Sequence, residues 1–389
     1  MHEIIRNKLL VVTYMLTLLY ALHYGLPLYA TSSFLHQYFN SSIISGLYML
    51  GSIGALLASI YISKHIKQFH IYKFTFSIVV AEIISILMFA FTKNLYILSV
   101  FFISHFILTV LLYMSLNVFI ESFSKHAEIG SIRGLFLALL NIGILISPLI
   151  GGTILSYTSF AGLYFVSSMM LVPFLFFLHK YLKYIKEPAY HTMNMGNALK
   201  SAWHNKNLRA ALIGELAIQC FYAVMIIYSP IYLTNLGIPL TIYLTMILPF
   251  ALVPLVVLPY ELGLIADTKI GEKELLIVGL VILTITTFLC VTITSTSPIV
   301  WIAVLLTSRI GASFVETMSF TYYFKKIGPE DAALTALFTN TSSVATCIVG
   351  ALGFVISPLL VDRPQLMFII LGCAILFSIS YVLPMRDTK

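Results

Sequence analysis

Apolar residues run along this chain in long stretches, each near the ~20 positions that a helix needs to cross ~30 Å of hydrocarbon. The pattern predicts helices at about 8–30, 42–62, 71–92, 95–123, 133–157, 160–181, 208–234, 240–262, 274–295, 298–324, 332–360 and 364–384. Turn residues punctuate them, as in Thr92-Lys93-Asn94, Thr234-Asn235-Leu236-Gly237 and Asp362-Arg363-Pro364. The first stretch starts basic, at Arg6 and Lys8, and turns apolar from Leu9. With no small-x-small cleavage site behind it and eleven more stretches to follow, it reads as the first crossing helix. One connection is long: 182–207 is polar and basic, and it divides the predicted helices into six and six. The expected organisation is an all-α integral membrane protein, with an N-terminal six-helix bundle over 1–181, a cytoplasmic central loop over 182–207 and a C-terminal six-helix bundle over 208–389.

Composition removes the soluble alternatives. Hydrophobic residues make up 60% of the chain and charged residues 10%, against roughly a quarter charged in a soluble domain. A net charge of +7 would suggest an acidic partner in a soluble protein, but here the basic residues alternate from loop to loop. Arg6, Lys8, Lys64, Lys67, Lys73, Lys125, Arg133, Lys180, Lys183, Lys186, Lys200, Lys206, Arg209, Lys269, Lys273, Lys325, Lys326, Arg386 and Lys389, nineteen of the 22, fall on the side of the N-terminus. Lys93 and Arg363 fall on the other side, and Arg309 lies within a helix. By the positive-inside rule both termini are cytoplasmic, the number of crossings is even and no nucleic-acid partner is implied. The bilayer is the expected partner, and a multi-pass place in the cell membrane, a bacterial inner membrane, the expected location. Cys220, Cys290, Cys347 and Cys373 all sit in apolar stretches without paired spacing, so neither a disulfide framework nor a thiolate metal site is indicated; no metal and no cofactor are expected. The chain has no Gly-x-x-x-x-Gly-Lys-Ser/Thr stretch, which removes ATP hydrolysis within it and leaves gradients as the energy source.

The segment Gly263-Leu-Ile-Ala266-Asp267-Thr-Lys269-Ile-Gly271-Glu-Lys273 falls between the eighth and ninth predicted helices, on the basic side. It resembles the loop signature of the major facilitator superfamily, Gly-x-x-x-Asp-basic-x-Gly-basic, with the basic residue after Asp267 displaced to Lys269. Glycine there permits a tight turn, and an aspartate near a helix end can accept from neighbouring helix N-termini. A second segment, Gly143-x-x-x-Ser147-Pro148-x-x-Gly151-Gly152, is similar to the family's fifth helix, with Ser147 for one glycine; small residues let helices approach and proline bends them. Tyr24-Gly-Leu-Pro27-Leu-Tyr29 resembles the close of the family's first helix. The resemblance, nearest to drug–proton antiporters, implies two six-helix bundles around a midplane site and a cytoplasmic loop that latches between states. The corresponding first-half loop, Ser63-Lys64-His65-Ile-Lys67-Gln-Phe-His70, has neither acid nor glycine, so a latch is expected on one side only. Gly353…Ser357-Pro358 repeats the Gly143…Ser147-Pro148 spacing.

Ionisable groups inside a crossing helix cost several kcal/mol unless they meet a partner or water, so each is a candidate. Glu121, Glu261, Lys325 and Lys326 lie within a turn or two of the cytoplasmic surface, where anchoring or interhelix pairing explains them. Arg309 is about eleven residues into its helix, with Glu316 seven residues on, ~10 Å and too long for a direct pair. The resemblance puts the first, fourth, seventh and tenth helices around the cavity, where Arg309 offers a positive fork to an anionic or polar substrate group; a structural salt bridge is the alternative. Glu82 and His105 each lie about 11.5 residues from the turn at Lys93 and Asn94, hence at equal depth on antiparallel neighbours. Such a couple can carry a proton, or serve only as a polar clasp. In the first helix Thr13, Thr17, Tyr20, Tyr24 and Pro27 recur at three- and four-residue steps, with His23 beside them. In the seventh, Glu215, Gln219, Tyr222 and Tyr228 precede Pro230. Both faces are expected to line the cavity, with helix packing as the alternative; Asn117 and Asn340 are further candidates. Pro249, Pro254 and Pro259 loosen the eighth helix.

These readings converge on a secondary transporter of a small organic molecule, proton-coupled, with efflux favoured on the aromatic and methionine-containing helices. Nutrient uptake is the alternative, on the tyrosine, asparagine and glutamine content. A membrane-embedded enzyme would need a catalytic constellation at matched depth, and Glu82 with His105 is the one approach to it.

Overall fold

A computed structural model of the chain describes residues 2–65, 70–123, 129–184, 195–327, 332–356, 359 and 365–386. Lys67, Lys125, Lys186, Arg363, Lys389, the pair Ser357-Pro358 and the 185–194 stretch of the central connection lie outside the described residues, as do the side chains of Arg6 and Lys64.

Every regular element among the described residues is helical. Eleven helices are long and apolar enough to cross a membrane: α1 Lys8–His36, α2 Ser41–Ile62, α3 Ile71–Phe91, α4 Leu95–Phe123, α5 Ile132–Tyr157, α6 Phe160–Leu182, α7 Lys206–Ile227, α8 Leu240–Thr268, α9 Glu272–Thr292, α10 Pro298–Lys326 and α11 Ala333–Val355. A further apolar helix, α12 Leu366–Val382, has 17 residues and rises ~26 Å, a little short of the hydrocarbon thickness. Local chemistry sets the ends. Asn94 Oδ1 accepts from the Tyr96 and Ile97 amides to open α4, and Asn205 Oδ1 accepts from Asn207 and Leu208 to open α7. Gly237 and Gly271 hold φ of 96° and 101°, left-handed values that a β-carbon disfavours, in the turns before α8 and α9.

Several helices are interrupted. α1 breaks after Leu28 and resumes at Thr31, α6 pauses at Met170 and α11 at Asn340. α8 is the most irregular: a π-helical turn over Tyr243–Ile247 precedes Leu248–Leu252, and Val253 separates that piece from Pro254–Thr268. Pro249 and Pro254 explain it, because each withholds an amide from the carbonyl one turn back. The expected central loop differs from the structure, since Met195–His204 is helical. Ala198 and Ala202, four residues apart, form its buried face, too short an apolar pattern to stand out among polar neighbours.

The chain forms two compact units, one of Met1–Thr31 with Leu50–Thr192 and one of Ser32–Met49 with Met193–Lys389. In the first, α1 packs along α5 through small residues. A Cβ on Gly25 would lie 2.5 Å from Ser147 Oγ, one on Gly151 would lie 2.7 Å from the Leu26 carbonyl, and one on Gly143 would strike Ala21. The glycine pattern of α5 is therefore a contact surface for the first helix. In the second unit, α9 and α10 touch at Gly279 and Gly311, where a Cβ on either would come within 3.0 Å of the other's carbonyl. Also in that unit, Ser45 Oγ bonds Tyr228 Oη at 2.7 Å, and Gly353 gives the Tyr228 hydroxyl room.

Candidate functional site

Among the described residues, each unit buries a polar cluster within its helices. In the first, His23 from α1, Glu82 from α3 and His105 from α4 meet on a single carboxylate oxygen: His23 Nε2 is 3.1 Å from Glu82 Oε1, and His105 Nδ1 bonds the same atom. Glu82 and His23 are fully buried and His105 nearly so. The short 92–94 turn fixes the register of α3 against α4 and brings Glu82 opposite His105. Ser167 of α6 positions the third member. Its hydroxyl donates to the His23 carbonyl at 2.7 Å, so the contacts of His23 Nδ1 with Ser167 Oγ (3.0 Å) and the Ser167 carbonyl (3.1 Å) require Nδ1 to carry the hydrogen.

Proton counting then constrains the rest. Two ring nitrogens face Glu82 Oε1, and each contact needs one proton. If Glu82 is ionised, His23 must be an imidazolium; if Oε1 carries the proton, it donates to one ring and accepts from the other. Both arrangements are net neutral and hold one proton more than an ionised glutamate beside two neutral histidines. Loss of that proton leaves two lone pairs facing each other. Glu82 Oε2 is buried and has no hydrogen-bond partner among the described residues. The same three side chains are the set that could hold a metal ion among the described residues, their ligand atoms lying within 4.8 Å of one another, but the spaces between those atoms are already bridged by hydrogen bonds.

Tyr20 and Tyr24 stack at 5.9 Å in the same unit, Tyr20 stacks on Tyr113 at 6.1 Å, and its hydroxyl donates to the Thr109 carbonyl. Thr13 and Thr17, expected on a cavity face, are fully buried and return their hydroxyls to carbonyls of α1. Asn117 and Asn340 likewise donate to carbonyls of their own helices, Tyr113 and Ala336.

The second cluster joins α7 and α10. Arg309 is fully buried, its guanidinium 4.8 Å above the Phe221 ring and 5.9 Å from that of Tyr222. Tyr222 Oη donates to Glu316 Oε2 at 2.6 Å, so its ring lies under the arginine while its hydroxyl reaches the acid. Arg309 and Glu316 thus share a tyrosine in place of a direct bond. Gln219 Nε2 donates to Glu215 Oε1 at 2.8 Å, and Glu215 is within electrostatic reach of Glu316 and Tyr222. Arg309 Nε, Nη1 and Nη2 and Glu215 Oε2 are buried with no hydrogen-bond partner among the described residues. Tyr222, Gln219 and Glu316 are partly exposed.

The loop flagged at 263–273 carries a third arrangement. Lys325, near the end of α10, bonds Asp267 Oδ1 at 2.6 Å and Glu272 Oε1 at 2.5 Å, tying together the ends of α8, α9 and α10. Glu272 is buried in the first turn of α9, where the helix dipole favours an anion, while Asp267 is exposed. Gly263 does not lie in the turn as expected. It is inside Pro254–Thr268, where an added β-carbon would meet nothing within 4 Å, whereas Gly271 makes the turn; Lys269 is exposed and Lys273 half-buried. Nothing in the residue pattern marks Ser167 or Glu272 as members of a site, and nothing in it assigns His23 to Glu82. Only His23 carried a signal, as an ionisable group beside the tyrosine stripe.

A family model described as Major Facilitator Superfamily matches residues 112–351. No curated protein matches the chain. Among solved structures, a mutant of the nucleoside transporter NupG superposes with a TM-score of 0.75 at 13% identity, over 97% of this chain and 100% of that one. A bacterial homolog of the human lysosomal transporter Spinster, in an inward-facing and occupied conformation, superposes with a TM-score of 0.76 at 11% identity, over 97% and 96%. At such identities the likeness is one of fold.

Proposed function

The protein belongs to the major facilitator superfamily, and on that premise we propose that it moves a small organic molecule across the membrane by alternating access, coupled to protons. Membership makes the multi-pass chain a transporter and not an enzyme. In the proposal the twelve apolar helices form two six-helix bundles with both termini cytoplasmic, as the alternation of basic residues supports.

The observation that carries proton coupling is the Glu82 oxygen facing two imidazole nitrogens. With its extra proton the cluster holds α1, α3 and α4 together; without it one contact turns repulsive and the clasp loosens. A protonation event is thereby converted into a change in helix packing, which a coupled transporter requires. Substrate contacts are assigned to the second cluster, to Arg309, Glu215, Gln219, Tyr222 and Glu316; within the first unit, taken by itself, Tyr20, Tyr24 and Asn117 are further candidates. Lys325 with Asp267 and Glu272 serves as the cytoplasmic latch, since breaking two ion pairs would free three helix ends at once. Extrusion and uptake both suit this chemistry.

Purified protein in proteoliposomes with an imposed pH gradient tests the proposal. Accumulation of at least one compound among dyes, sugars, nucleosides and amino acids is expected, abolished by a protonophore. Flux of none, with or without the gradient, overturns it.

A further inference from the structure

The second cluster has two unmatched ends. A buried guanidinium without a hydrogen-bond acceptor among the described residues is unfavourable, since desolvating an ion costs more than two aromatic faces return. Glu316 is within electrostatic reach but gives it no hydrogen bond, because Tyr222 stands between them. At the other end Glu215 Oε1 accepts from Gln219 while Oε2 has no donor. Fixed donors at one point and a fixed carboxyl group at another define what would complete them: a carboxylate, which matches the guanidinium fork, and a cationic N–H group, the partner that favours an ionised carboxyl. A neutral hydroxylated molecule satisfies neither end as well, and a simple anion leaves Glu215 unmatched.

The geometry points to a small zwitterion, an amino acid or short peptide, as the substrate of this cluster, with its carboxylate on Arg309 and its ammonium on Glu215. The inference rests on reading the protein as a small-molecule transporter. Glu215 lies seven residues, ~10 Å along α7 and on the same face, from Tyr222, which is within electrostatic reach of both Glu215 and Arg309. An interval of ~10 Å is on the scale of one amino acid or a dipeptide with a hydrogen bond of ~3 Å at each end. Tyr222 lies between the two ends as an aromatic floor, held by its bond to Glu316.

Equilibrium binding to the purified full-length protein tests it, by calorimetry and thermal shift with the twenty L-amino acids and a set of dipeptides, their N-acetylated forms, the corresponding amines lacking a carboxylate, and uridine and glucose as neutral probes. At least one zwitterion should bind, with N-acetylation and loss of the carboxylate each weakening it tenfold or more. Glu215→Gln should abolish the penalty for N-acetylation but keep that for losing the carboxylate; Arg309→Lys should weaken every carboxylate ligand tenfold or more. Binding of neutral probes without zwitterions, or zwitterion binding indifferent to N-acetylation in the unmodified protein, overturns the inference. Flux of a sugar or nucleoside in the proteoliposome screen would leave the transporter reading standing while this one falls, whereas flux of nothing would remove the reading beneath it.

Discussion

Replacing Glu82 by glutamine separates a proton carrier from a clasp, because the two roles ask different things of the same atom. The amide can set its nitrogen where Glu82 Oε1 lies and donate one hydrogen to His23 Nε2 and the other to His105 Nδ1, so both contacts persist as neutral hydrogen bonds without a transferable proton. Charge-assisted bonds contribute about 1.5–3 kcal/mol each and neutral ones about 1, which gives a loss of ~0.5–2 kcal/mol per contact. Couplings between polar side chains in a bilayer average nearer ~0.6 kcal/mol. Together these scales bracket a destabilisation of ~1–3 kcal/mol, which a folded transporter survives. Unfolding in SDS mixed micelles measures that loss. Two transport modes measure the rest: counterflow, which needs substrate binding and helix movement but no net proton transfer, and accumulation driven by a pH gradient. Glu82→Gln should keep counterflow within a few-fold of the unmodified protein and lose gradient-driven accumulation. Accumulation at the unmodified level in this variant would refute the proton role and leave the cluster as a packing device.

Three further outcomes follow from the packing and the latch. Gly143→Leu should cost ~1–3 kcal/mol of stability by driving α5 off Ala21, while Gly134→Ala, with nothing within 4 Å of the added Cβ, should cost none; thermal unfolding in detergent compares them. Lys325→Ala should destabilise mainly through the buried Glu272, since the exposed Asp267 partner is worth well under 1 kcal/mol after solvent screening, so Asp267→Asn should be the milder change in both stability and transport rate. Tyr228→Phe, which removes the Ser45 bond and leaves the ring in place against Gly353, should cost ~0.5–1.5 kcal/mol in the same micelle assay, and no change would show that the bond contributes nothing.

Hydropathy made the helices legible because lipid imposes length and apolarity on each independently of its neighbours. The pairing of Glu82 with His105 was legible for a related reason: a three-residue turn between antiparallel helices makes equal distance from the turn mean equal depth. Register between helices distant in sequence has no such ruler. His23 stands 59 residues from Glu82 and Ser167 a further 85 beyond that, and nothing local specifies that they share a cluster. Glu272 read as one charge of a loop, yet its burial depends on Lys325, 53 residues away. Arg309 was recognisable from depth alone, but its aromatic shelf on Phe221 and the interposed Tyr222 follow from how α7 rotates toward α10. Polar residues that are buried and return a bond to their own helix, such as Thr13 and Thr17, look in sequence the same as those that line a cavity.

Proton movement that accompanies substrate movement, recorded in weakly buffered proteoliposomes carrying an internal pH dye and no imposed gradient, is the most direct measurement of coupled transport. Addition of a substrate should change the internal pH at a rate that rises with substrate flux, and Glu82→Gln should abolish the pH change while counterflow continues. Substrate flux at full rate with no pH change in the unmodified protein would contradict proton coupling.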